Sequence, residues 1–248
     1  MEQAVKLEEI NNDIILLTLQ DKKGSNTFSK ELIRGIIDAF ALIENKQKYK
    51  VVIITGYDNY FCSGGTKEEL FAFYKGEMKF DDFDFYTLPL TCKVPVISAM
   101  QGHAIGGGFV FGLYSDFIFL AEESIYTSNF MNYGFTPGMG ATYIIPNRFG
   151  HILGNEMMFT AQNYRGKVLK ERGAPLKVVP KPEVLPEAIK LAKSLAEKPR
   201  KSLMILKEHV RNAMLPALRE IITKELRMHE LTIHEEEVSK RIEQFFNN

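Results

Sequence analysis

Gln101-Gly102-His103-Ala104-Ile105-Gly106-Gly107-Gly108-Phe109-Val110-Phe111-Gly112 is the stretch around which this chain is organised. A β-branched apolar run, Val94 to Met100, leads into it, and an apolar helix-like run starts near Phe109. Three successive glycines between a strand and a helix are costly, because glycine gives up the most backbone freedom on folding. The pattern implies that something approaches the backbone closely there. A helix N-terminus also leaves N–H groups without internal partners, directed outward with partial positive charge. Such a turn can bind an anion or polarise a carbonyl oxygen.

Upstream lies a second turn of the same kind. Val51 to Thr55 is a continuous apolar run, the pattern of a strand covered on both faces. It runs into Gly56 and on to Phe61-Cys62-Ser63-Gly64-Gly65. Before it, Ile14 to Gln20 predicts a strand. Ser29 is placed to cap a helix in which Leu32, Ile36, Phe40 and Ile43 recur at helical spacing. Strand, helix, strand suggests a parallel crossover unit. Thr66 to Tyr74 is compatible with a helix, Lys75 to Asp84 reads as a loop, and Phe117 to Leu120 as a short strand.

Downstream, Met131 to Ala141 carries Gly134, Pro137, Gly138 and Gly140, a third turn leading into a helix. Helical segments are predicted over Arg165 to Arg172 and Leu185 to Glu197. Beyond Pro199 the pattern is almost wholly helical, over Ser202 to Met214 and Leu215 to Phe246. The expected division is an α/β core over residues 1–198 and a helical region over 199–248.

The 248 residues are 45% hydrophobic and 25% charged, and Lys plus Arg equals Asp plus Glu. Zero net charge argues mildly against nucleic acid as the main partner. Cys62 and Cys92 form no metal-ligand pattern and read as free thiols in a reducing compartment. The N-terminal residues lack a leader-like apolar core, and no apolar run reaches the ~20 residues of a membrane helix. A cytoplasmic location is the expectation.

Two backbone N–H groups from separate strand ends, aimed at one carbonyl oxygen, make an oxyanion hole. Gly65 and Gly107 are the candidates. The plainer alternative is tight backbone geometry alone. Two such turns in one chain, each after an apolar strand, weigh against that alternative.

In order and approximate spacing, Phe61-Cys62-Ser63-Gly64-Gly65, Gln101 to Gly108 and Gly134-Phe135-Thr136-Pro137-Gly138-Met139-Gly140 resemble the crotonase (enoyl-CoA hydratase/isomerase) superfamily. The resemblance spans essentially the whole chain. It implies a crotonase-like α/β spiral of ββα units with a C-terminal helical region that covers the site and packs on other subunits, as a trimer or dimer of trimers. It also implies that Gly65 and Gly107 hold the enolate of an acyl thioester.

Departures from the family pattern narrow the chemistry. Hydratases of the family carry a glutamate two positions beyond the triple glycine, where this chain has Val110. Their second glutamate, counted back from Pro137, falls near Phe130. Adding water to a double bond needs acid/base groups beside the acyl chain, and here both positions are apolar. Decarboxylation suits an enolate site with an apolar floor, because the carbanion left by carbon dioxide delocalises into the thioester.

Within the superfamily, the chain resembles the decarboxylating members of polyketide β-branching cassettes, in Gly56 to Phe61, Phe130 to Gly140 and Met228-His229-Glu230. That resemblance implies a 3-methylglutaconyl-type substrate and a 3-methylcrotonyl-type product. The thioester is carried on the phosphopantetheine of an acyl carrier protein, or on CoA, with no metal or redox cofactor. It assigns the carboxylate and the proton to Lys79 and His229. By residue type alone, Lys79 is a solvated loop charge and His229 a packing residue on a helix. Lys75 and His234 are the rivals for the two roles. His103 reads as a turn residue. Tyr74, Tyr86, Tyr126 and Tyr133 are pocket or core residues, and Lys198 to Lys201 is a solvated helix start or a basic landing site. Two other readings stand beside decarboxylation: an enoyl-thioester isomerase, and a non-catalytic homologue that binds an acyl carrier.

Overall fold

Three buried strands are each followed at once by a short strand that belongs to a different sheet. The computed structural model describes residues 3–78 and 84–247. Its elements run β1 (Val5–Asn11), β2 (Ile14–Leu19), α1 (Lys30–Asn45), β3 (Val51–Thr55), β4 (Tyr60–Cys62), α2 (Lys67–Tyr74), α3 (Leu88–Thr91), β5 (Val96–Met100), β6 (His103–Ile105) and α4 (Gly107–Leu113). Then come β7 (Phe117–Ala121), β8 (Ile125–Thr127), α5 (Ala141–Phe149), α6 (His151–Thr160), β9 (Tyr164–Arg165), α7 (Gly166–Glu171), β10 (Lys177–Val179), α8 (Lys181–Ala196), α9 (Arg200–Glu230) and α10 (Glu236–Asn247). The main sheet has the order β1-β2-β3-β5-β7-β10 and the second β4-β6-β8-β9. The pairs β3/β4, β5/β6 and β7/β8 thus place one strand in each sheet, and the turns after the short strands stack side by side.

The central main-sheet strands β3, β5 and β7 are largely apolar on both faces because both faces are covered. Val51, Ile53, Ile97 and Ala99 pack against Val184, Ala188 and Ala192 of α8. Their neighbours Val52, Ile54 and Val96 face the larger core, which holds α1, α4 and the second sheet. In α1, the Ser29 hydroxyl accepts from Leu32 N–H at 3.1 Å, so the chain starts a helix there, and Leu32, Ile36, Phe40 and Ile43 are buried. Cys62 and Cys92 are both free and buried.

Three boundaries differ from the sequence pattern, each for a local reason. β1 was not anticipated. It is an edge strand with only Val5 fully buried, so its charged residues hide the alternation. Helix α4 begins at Gly107 rather than near Phe109, which puts the middle glycine of the three at the first helical position. Helix α9 runs unbroken through Pro216, and the chain turns only at residues 231–235. Pro216 lacks an N–H for the Asn212 carbonyl, but both residues are exposed, so water can take its place.

Helix α9 is tied to the core along its length. Lys207, buried, donates to the carbonyls of Pro89 (2.8 Å) and Val94 (2.9 Å) and pairs with Asp116 at 2.7 Å. Near its start, Arg200 donates to the Tyr49 carbonyl at 2.9 Å. Lys198, beside it, is exposed and sits 3.9 Å from Glu197. Among the described residues no helix is long and apolar enough to cross a membrane.

Candidate active site

β4 and β6 are parallel neighbours, with Tyr60 opposite His103 and Cys62 opposite Ala104. The turns they lead into, Ser63-Gly64-Gly65 and Gly106-Gly107-Gly108, therefore touch. A Cβ added to Gly64 would lie 2.7 Å from the Ile105 carbonyl oxygen and 3.4 Å from the Gly107 nitrogen, and φ there is +79°. A Cβ on Gly108 would lie 2.6 Å from the Cys62 carbonyl carbon. The glycines are required because two backbones occupy the space that side chains would need.

Neither the Gly65 nor the Gly107 N–H enters a hydrogen bond among the described residues. Both line one partly open cavity. Its walls are mostly apolar, with Phe28, Phe85, Phe130, Phe135 and Met139 prominent. Polar groups are few: Ser63, Glu69, Asn129 and the Tyr133 hydroxyl among them. Two adjacent donors facing an apolar cavity can polarise one carbonyl oxygen and hold the charge that develops on it.

Of the residues singled out from sequence, the cavity brings together Gly65, Gly107, Phe130, Tyr86 and Tyr133. Val110 does not belong to it, a correction to the expected pocket. Val110 is fully enclosed in the core. The cavity reaches only the first turn of α4, where Met139 Sδ stands 2.7 Å and Phe28 Cε2 3.0 Å from the Cβ position of Gly107. Lys79 lies outside the described residues; its neighbour Met78 lines the cavity. Lys75 is exposed at the end of α2.

His229 is not among the residues lining the main cavity. It lines a tight crevice with no room for a water molecule, together with Ile222, Glu225 and Leu226, and Tyr86 and Met139 are walls of both spaces. Its ring meets the edge of Phe135 at 5.1 Å between centroids. Nδ1 lies 3.1 Å from the Thr136 carbonyl, which can only accept, so Nδ1 carries the hydrogen. Burial pushes its pKa down to about 4, and the imidazole is neutral at neutral pH in the ligand-free chain. His234 instead joins the end of α9 to α2, with Nδ1 2.6 Å from the Tyr74 carbonyl.

Tyr86 and Tyr133 line the main cavity. Tyr126 is a core residue, donating to the Met100 carbonyl and accepting from Ala121 N–H, both at 2.7 Å. His103 sits on strand β6 rather than in a turn, and its Nδ1 accepts from Ile125 N–H at 2.9 Å.

Glu69, Asn129 and Glu225 were not anticipated. Glu69 closes a capping box with Thr66. The Thr-x-x-Glu spacing is legible in the sequence, but its proximity to the cavity is not. Burial raises the pKa of Glu69. Glu225 is one of several glutamates on α9, and nothing in its spacing marks it as the buried one.

Residues 9–248 match the family model described as enoyl-CoA hydratase/isomerase. The chain is 52% identical over 245 residues to the bacillaene synthase decarboxylase PksI of Bacillus subtilis (strain 168), covering 99% of this chain and 98% of that protein. A solved structure of a dehydratase/decarboxylase enzyme couple involved in polyketide β-branching superposes with a TM-score of 0.96 at 52% identity, covering 97% of this chain and 95% of its own. The ECH2 decarboxylase domain of CurF from Lyngbya majuscula superposes with a TM-score of 0.95 at 42% identity, covering 99% of this chain and all of that domain.

Proposed function

This chain belongs to the enoyl-CoA hydratase/isomerase family, and we propose that it acts there as a decarboxylase in polyketide β-branching. Its substrate is a 3-methylglutaconyl-type thioester on an acyl carrier protein, and its product a 3-methylcrotonyl-type thioester. The observation that carries this reading is the pair of unpartnered N–H groups of Gly65 and Gly107 on a cavity with an aromatic wall at Phe130. The decarboxylase relatives support the same reaction.

In the proposed step the bond between the γ-carbon and its carboxylate breaks and carbon dioxide leaves. The electron pair moves through the adjacent double bond to the thioester oxygen, where the Gly65 and Gly107 N–H groups hold it. A proton then returns to the γ-carbon. The carboxylate docks where the cavity and the crevice adjoin, beside Tyr86 and Met139. Its charge raises the pKa of His229 from the low value of the empty site, so that Nε2 takes up a proton. His229 holds the carboxylate and then supplies the proton, and Lys79 is the second cation. Apolar walls favour turning a carboxylate into a neutral gas. No cofactor beyond the carrier's pantetheine arm is required.

The test is intact-mass measurement of a 3-methylglutaconyl carrier incubated with the protein. The expected result is loss of one carbon dioxide from the carrier. Unchanged mass with a migrated double bond would establish an isomerase instead.

Residues 199–248 are proposed as a helical region that covers the site and meets other subunits. Ile152 and Phe159 on α6 and Ile205, Leu206 and Val210 on α9 are large apolar residues left exposed. Burying them between copies gains roughly 25 cal/mol per Å² of apolar surface. A trimer or dimer of trimers is expected by light scattering, and a monomer at all concentrations would remove this part of the proposal.

A further inference from the structure

Glu225 is a buried carboxylate that the chemistry above does not use. It stands on α9 one turn before His229 and is 3% exposed. One oxygen accepts from Gly140 N–H at 2.6 Å. The other accepts from Thr142 N–H at 2.7 Å and from the Thr142 hydroxyl. These N–H groups begin α5, where a helix has no internal partners for them. Gly140 occupies the capping position at φ +76° and has no side chain to do so. A carboxylate 85 residues further along the chain caps the helix instead.

Between these bonds and the active cavity sits Met139. Its φ of +62° is in the left-handed region, which long side chains rarely adopt. Its carbonyl accepts from the Tyr114 hydroxyl at 2.6 Å, and its sulfur packs over the α-carbon of Gly107. Tyr114 and Glu225 thus hold Met139 in place from either side. Three residues earlier, the same segment offers the Thr136 carbonyl to His229, while Thr136 N–H donates to the Thr232 hydroxyl at 3.3 Å. Residues 136–142 are clamped to the C-terminal helices at both ends.

We propose that Glu225 is a positioning residue of this site: by holding Gly140 and Thr142 it sets Met139 against the oxyanion turn and the Thr136 carbonyl against His229. Its kinetic consequence rests on the decarboxylase reading; its structural consequence does not. A neutral group substitutes poorly, because a carboxylic acid or an amide accepts less strongly than the anion and sets a donor of its own beside the Gly140 and Thr142 N–H groups. Facing Glu225 are Tyr86 across the crevice, Tyr114 from α4, Thr142 from α5 and His229 on its own helix. Burial is the leading influence and pushes its carboxyl up to about 7, with no cation among the causes to offset it. The anion therefore predominates above neutral pH and the acid below it. With a midpoint near 7, the ionised fraction falls about tenfold between pH 8 and pH 6.

The experiment measures kcat for carbon dioxide release at saturating substrate, where the bound carboxylate already holds His229 protonated, from pH 5.5 to 9, with the ring nitrogen NMR signals of ligand-free His229 followed over the same range. In the wild type, kcat is expected to fall about tenfold from pH 8 to 6, and the His229 signals to move with a midpoint in the same range. Glu225→Gln is expected to lose at least tenfold in kcat at pH 8 and to abolish the movement of the His229 signals near pH 7. Thr142→Val, which removes only one donor to the anion, is expected to move both midpoints upward, and carries the test if Glu225→Gln does not fold. A wild type whose kcat does not change between pH 6 and 8, Glu225→Gln with wild-type kcat at pH 8, or Thr142→Val with unmoved midpoints overturns the proposal. If the wild type turns over no thioester, the decarboxylase reading has failed and the NMR titration alone decides. His229 signals unresponsive to pH near 7 in the wild type then overturn the assignment of Glu225.

Discussion

Gly108→Ala is expected to abolish measurable turnover and to destabilise the chain strongly. The added methyl would drive into the backbone carbonyl of Cys62, 2.6 Å from its carbon, and 2.8 Å from the Cys62 Cβ. A flexible side chain could swing aside; a carbonyl at the end of β4, in register with β6, cannot. Overpacking of this kind costs about 1–3 kcal/mol, and a backbone obstacle puts Gly108 at the upper end. For a chain of this size that is a fall of about 6–12 °C in Tm. Relief requires the two glycine turns to separate, which moves the Gly65 and Gly107 N–H groups apart. Loss of one oxyanion donor typically lowers kcat by about 10²–10³. Gly173→Ala is the control: φ is +77°, but nothing lies within 4 Å of the added methyl. It carries only the left-handed strain, about 1–2 kcal/mol, and turnover at 25 °C should be unchanged. Wild-type Tm and kcat in Gly108→Ala would show that the two turns are not held in contact.

His229→Ala and His229→Gln are expected to lower kcat alike, by about 10²–10⁴, the contribution of a positioned acid/base group. The pair separates chemistry from packing. Glutamine can still donate to the Thr136 carbonyl, as Nδ1 does now, but it cannot take up or release a proton. Alanine loses that bond and the contact with the Phe135 ring as well. If His229 acts only by packing, His229→Gln retains kcat while His229→Ala loses Tm, and the proton assignment fails. In the ligand-free protein the ring should remain neutral down to about pH 4 by NMR, because its burial opposes the charge. Conversion of the ring to imidazolium near its ordinary value, read as the large nitrogen shift of protonation and not the small displacement of a neutral ring that follows Glu225, would show that His229 is more open to water than the structure places it.

The crotonase fold was legible because its most expensive features are local. Val51 to Thr55 is buried on both faces, and continuous apolar residues record that directly. The three glycine turns are legible for the same reason, since a backbone that leaves no room for Cβ tolerates few residues but glycine. The Ser29 cap and the stripe on α1 follow from helix geometry within one segment. β1 was missed because an edge strand buries too little to leave a pattern. The continuity of α9 was missed because a proline breaks a helix only where the freed carbonyl has nowhere to turn, and residues 212 and 216 face water.

At the site the division is sharper. Gly65 and Gly107 could be named from two strand–glycine turns; both line one cavity, and neither N–H is hydrogen-bonded among the described residues. Position 110 could be named as apolar, but whether it faces the cavity depends on Met139 and Phe28, which arrive from distant segments to cover the first turn of α4. By itself, then, the sequence determined most of the backbone: where the buried strands lie, where the glycine turns must be, and that positions 110 and 130 are apolar. Only the tertiary structure decided which side chains meet across those turns. Glu225 and His229 are separated from Gly140 and Thr136 by some ninety residues, and no periodicity within α9 distinguishes them from neighbours that face water. Burial in a shared crevice is what lowers one pKa and raises the other, and burial is a property of the packed chain, not of any segment of it.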